Sequence, residues 1–183
     1  MTPKIAVALL VLMLSGCRGG TSNQELPAKE SVYQFVLRDL ATKESEDARF
    51  KGDKIWLAPK SCPGDSLALS WGSEVTVDEE LKSALQLANK VQIEFDAKEI
   101  ATENTKIKEI QSFIDLFYYR EGNRPENAKC LVQFWRAGFT RDGKRAIVRF
   151  AYGPSPHGAA GTYVLERTDH GWRIVSSTIS YYA

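Results

Sequence analysis

The chain has 183 residues, 43% of them hydrophobic and 26% charged, enough length and apolar content for one domain with a real core. Its 24 Lys and Arg against 23 Asp and Glu leave a formal charge of +1, and the two signs are interspersed rather than blocked. That balance excludes nucleic acid as a partner recognised through a basic excess, since no surplus remains to neutralise phosphates.

In chain order, the first segment is MTPKIAVALLVLMLSGC: Lys4, an apolar run from Ile5 to Leu14, then Leu14-Ser15-Gly16-Cys17. The run is too short to cross a bilayer as a lone helix. A charged start, an apolar core and small residues just before a cysteine together resemble the export signal of bacterial lipoproteins. The resemblance implies cleavage before Cys17, a diacylglycerol thioether on its sulfur and often a further acyl chain, such as palmitate, on its amine. Two or more chains anchor stably where one does not. The expected organisation is a signal peptide over 1–16, a lipid-anchored flexible tether over 17–29 and a single domain over 30–183. The membrane is thus the first expected partner, through Cys17, and an envelope protein the second. Arg18 stands where an inner-membrane retention signal would carry aspartate. The expected address is therefore the cell envelope, on the outer membrane facing the periplasm in a bacterium with two membranes.

After the polar tether, Val32, Phe35, Val36 and Leu40 fall at helical spacing, with Ser31 placed to cap them. Lys54 to Ala58 reads as a short strand stopped by Pro59, and Leu67 to Trp71 as another. Thr76 and Glu79 have capping-box spacing ahead of the helical run Leu81, Ala84, Leu85 and Ala88. Val91, Ile93 and Phe95 alternate as in a strand, residues 106–120 carry a helical stripe ended by Gly122, and residues 121–129 form a polar connector.

The last fifty residues hold four runs rich in aromatic and β-branched residues, at 131–139, 145–152, 161–168 and 172–181. Arg141-Asp142-Gly143-Lys144 and Asp169-His170-Gly171 separate them as hairpin turns with glycine where positive φ is needed. Ala146, Val148, Phe150 and Tyr152 face one way, Arg145 and Arg149 the other. This pattern predicts an α+β domain, a four-stranded antiparallel meander with one face packed against about three helices. The closing segment GWRIVSSTISYYA is similar to the last strand of uncharacterised exported proteins and of the cone-shaped nuclear-transport-factor-2-like superfamily. The second resemblance implies an alternative fold, a cone holding a small apolar ligand beside Phe150 and Tyr152.

Chemistry-bearing residues are sparse. With Cys17 committed to lipid, as the lipoprotein resemblance implies, Cys62 and Cys130 remain. An oxidising envelope permits them to form one disulfide; two separate buried thiols are the alternative. His170 sits in a tight turn and reads as an exposed turn residue. His157 lies in GPSPHGAAG, a loop longer than a hairpin requires, with Ser155 and Tyr152 nearby, and this is the expected binding loop. No metal motif, phosphate loop or nucleophile elbow is present, so neither cofactor nor metal is expected. The chain reads as a binding, assembly or inhibitor module rather than an enzyme. A small hydrolase built on the His157 loop is the alternative.

Overall fold

The computed structural model describes residues 30–43, 52–64, 76–107, 128–153 and 159–181. The leader with Cys17, the tether, the expected strand at Leu67, most of the expected helix 106–120, and Ser155 and His157 lie outside the described residues.

Helix α1, Val32–Thr42, starts as its sequence predicts. Ser31 accepts from the Gln34 N–H while the Gln34 side chain accepts from the Ser31 N–H, a complete capping box. Helix α2, Glu79–Ala88, starts two residues later than the Thr76–Glu79 spacing suggests. Asp78 is its cap, accepting from the Leu81 N–H at 2.9 Å and also pairing with Arg145. A carboxylate that serves a helix end and a guanidinium together outcompetes an exposed threonine hydroxyl. Both interactions hold the Asp78 carboxyl below the usual aspartate range, the Leu81 N–H most of all. Asp78→Ala should cost about 1 kcal/mol of stability at neutral pH. Because the folded carboxyl titrates lower than the unfolded one, that difference should persist down to about pH 4 and vanish as pH falls through the folded value. Urea unfolding of both proteins across that range measures it.

The described strands are β1 (Lys54–Leu57), β2 (Thr105–Ile107), β3 (Ala128–Phe134), β4 (Gly138–Phe139), β5 (Arg145–Gly153), β6 (Ala159–Thr168) and β7 (Gly171–Tyr181). Short helix α3, Ala97–Ile100, precedes β2. The fold is α+β, and its sheet is larger than a four-stranded meander and mixed in direction. The order is β2-β1-β3-β5-β6-β7, with β4 on the edge of β5 beyond the end of β3. β1 runs parallel to both neighbours, while β3, β5, β6 and β7 pair antiparallel in sequence. Gly143 and Gly171 have φ of 68° and 117° in the two predicted turns. Two expectations fail locally. Residues 91–95 make a single antiparallel bridge, Lys60 with Glu94, because Pro59 ends β1 before a ladder can extend. Residues 106 and 107, the start of the expected third helix, instead lie in β2 and pair with β1.

Both faces of the sheet are buried, not one. On the first face α1 packs Val36, Leu37 and Leu40 against Ile55, Val132, Phe134, Val148 and Phe150. On the second, α2 packs Leu81 and Leu85 against Leu131, Trp135, Ile147 and Val164. Arg149, read from sequence as solvent-facing, is therefore fully buried, with its guanidinium 5.5 Å from the centre of the Trp135 ring. A closed triad pins the end of α1 to β6. Lys43 Nζ donates to Tyr163 Oη (2.7 Å), Tyr163 Oη donates to Asp39 Oδ2 (2.6 Å), and Lys43 pairs with Asp39 (2.8 Å). Burial, and then Asp39, push the Tyr163 phenol far up, so it stays protonated.

Candidate functional site

The expected run 131–139 is broken after Phe134, and a groove opens at that break. At residues 135–137 the chain leaves β3 before rejoining β5 as β4, which strands several backbone groups. Side chains satisfy them. Asn89, just past α2 and only 3% exposed, donates from Nδ2 to the Arg136 carbonyl and accepts from the Arg136 N–H, both at 2.8 Å. Tyr33 Oη accepts from the Ala137 N–H at 2.8 Å. The Tyr33 ring also meets Phe95 edge-on and Phe134 at a tilt, both at 5.1 Å. Burial pushes its phenol up to about 12, reinforced by Glu99 and opposed by the Ala137 N–H and Arg136. Tyr33 is thus a neutral wall, not a base.

Around this break opens a groove of about 1300 Å³. One wall is the start of α1 and the segment from Ile93 to Glu99; the second is the C-terminal half of α2; the third is β4 with the β6–β7 turn. Phe139 and Trp172 pair across that third wall at 6.2 Å, and the Arg167 guanidinium lies 5.9 Å from the centre of the Trp172 ring. Leu87 is 65% exposed and Phe139 45%, both lining this groove. Large apolar side chains left in water beside one cavity mark a contact surface more than isolated ones do. His170, at the exposed turn, stands on the rim.

Of the residues singled out from sequence, Tyr152, Cys62 and Cys130 are described, and none of the three lines this groove. Tyr152 lies in β5, 7% exposed, packed within the first core 6.4 Å from the Phe150 ring. Phe150 and Tyr152 both pack within the first core. The expected disulfide is absent: Cys62 and Cys130 are free thiols. Cys130 belongs to the first core and Cys62 to the second, so the sheet stands between them. Cys62 also bonds to the Phe134 carbonyl, four residues along β3 from Cys130, about 13 Å of strand where a bridge tolerates about 7 Å between Cα atoms. Cys62 donates its thiol to the Gln133 carbonyl at 3.2 Å. Burial raises the Cys62 thiol far above the usual range and the Cys130 thiol to about 12, so neither supplies a thiolate nucleophile. In a Cys17→Ser variant, neither Cys62 nor Cys130 should react with an aromatic disulfide reagent while folded, and both should react after denaturation without reductant. Reaction of neither after denaturation would restore the bridge.

Sequence reasoning missed Tyr33, Asn89, Arg136, Phe139 and Trp172 as site residues. The one local signal was Asn89 directly after a helical run, and it speaks of a helix end rather than of a groove. Compared with known proteins, the chain matches no protein-family model, no curated protein and no solved structure.

Proposed function

We propose that this chain is an envelope lipoprotein, held to a membrane by diacylglycerol on Cys17, whose folded body binds another envelope component and carries out no chemistry of its own. The leader supports the anchor: an apolar run too short to span, then Leu14-Ser15-Gly16-Cys17. The observation that carries the binding role is the open groove with Leu87 and Phe139 exposed on its walls. The Tyr33 wall is suited to contact rather than to proton transfer, since its phenol stays neutral. The tether fits the same role, because a polar, glycine-containing segment lets the body search near the membrane without fixing its orientation. In a bacterium with two membranes the outer one, facing the periplasm, is the proposed site. Metabolic labelling with palmitate tests the anchor: label and membrane association should both be lost in Cys17→Ser, and retention of label there would refute it. A photo-crosslinking residue at position 87, compared with one at Val175, tests the binding role. Adducts formed equally well at both positions would refute the groove as the binding surface.

A further inference from the structure

Resting on that binding role, we propose that the groove takes a single-chain amphiphile with an anionic head, its chain lying between Leu87 and Phe139 and its head at Arg136. Three observations converge on this occupant. The walls at Leu87, Phe139 and Trp172 are apolar and partly open to water, and the groove of about 1300 Å³ exceeds the roughly 300–1,000 Å³ of a compact small-molecule site. It suits an elongated apolar body.

Arg136 is half-buried beside Tyr33 and forms no ion pair among the described residues. Its position is fixed, because Asn89 holds its backbone at both N–H and carbonyl. The groove's acids leave that charge available: Glu30 is paired with Arg38 at 2.8 Å, while Glu99 and Asp169 are exposed and screened by water. A guanidinium at an apolar wall, with no carboxylate of its own chain against it, is complementary to a carboxylate or phosphate attached to an apolar chain.

The third observation is the entry of the chain. Glu30 lies on the groove's lip, thirteen residues after Cys17. A coil of thirteen residues would span about 20 Å on average. An acylated protein therefore carries this groove within a short distance of the bilayer, where single-chain anionic amphiphiles arise when lipids lose an acyl chain.

The test uses the full mature chain and radiolabelled dodecanoate in equilibrium dialysis, below the concentration at which it forms micelles. Saturable binding to one site is expected, weakened about tenfold in Arg136→Gln and about tenfold in Leu87→Ser or Phe139→Ser. Leu87 is 65% exposed, so Leu87→Ser should keep the parent's thermal unfolding, while Phe139→Ser also loses the ring contact with Trp172 and is assayed well below its own melting midpoint. Dodecyltrimethylammonium, with the same chain and a cationic head, should not compete. Failure of dodecanoate to bind, unchanged binding in both serine variants, or equal competition by the cation would each overturn the proposal. A protein cross-linked at position 87 together with no dodecanoate binding would overturn the amphiphile but leave the binding role intact. Palmitate label surviving in Cys17→Ser would instead remove the anchor, whatever the dialysis shows.

Discussion

Asn89→Leu is expected to lower the unfolding free energy by about 4 kcal/mol, although leucine keeps asparagine's branching at Cγ. Asn89 makes three side-chain hydrogen bonds at 2.8 Å: Nδ2 to the Leu85 and Arg136 carbonyls, and Oδ1 from the Arg136 N–H. The residue is 3% exposed, so water cannot replace these partners. Removing the amide leaves the Arg136 N–H and carbonyl buried and unpaired, at about 1–3 kcal/mol each, and takes away the bond that ties Nδ2 to the end of α2. Urea unfolding of the two proteins decides it. Equal stability would mean that packing, not hydrogen bonding, holds the strand break.

Gly138→Ala should cost about 3 kcal/mol, for a different reason. A Cβ on Gly138 would stand 2.5 Å from Leu85 N, 2.8 Å from Leu85 Cα and 2.9 Å from the Ala84 carbonyl carbon. All three are helix backbone, so no side-chain rotation relieves the clash and α2 must move off β4. Overpacking of this kind costs about 1–3 kcal/mol, the upper end applying where the neighbour is rigid. For a chain of this size the midpoint of thermal unfolding should fall by roughly 6–12 °C. Gly143→Ala is the control: nothing lies within 4 Å of its Cβ, and only the φ of 68° penalises it, by about 1–2 kcal/mol. If the two variants melt together, the close helix–strand approach is not what Gly138 serves.

What the sequence made legible was local. Ser31 with the 3.6-residue stripe behind it predicts α1, and two glycine turns place β5, β6 and β7, because caps and turns are decided within a few residues. Lys54 to Leu57 was legible as a strand through its apolar run. Destinations were not legible. The stripe of α2 says that one side is buried, not against which face of the sheet, and so Arg149 reads as exposed when α2 in fact covers its side. Val91, Ile93 and Phe95 alternate as well as any strand, but alternation cannot supply a neighbour to pair with. The two cysteines invite a bridge by their number; the sheet that separates them is a property of the tertiary fold alone. The groove was illegible for the same reason. It is assembled from segments as distant as Tyr33 and Trp172, and held by side chains bonding to foreign backbone, an arrangement with no period.

The parallel placement of β1 between β2 and β3 carries a consequence for how the molecule is made. Ile55, Trp56 and Leu57 are nearly wholly buried, yet the strands on either side of them are residues 105–107 and 128–134. A chain synthesised or threaded across a membrane from its amino end therefore presents its most apolar short strand long before either flank exists. The antiparallel strands β5, β6 and β7 find their neighbours across short connections, but β1 must wait. While it is being made, the chain therefore holds β1 without its neighbours until Phe134 has followed.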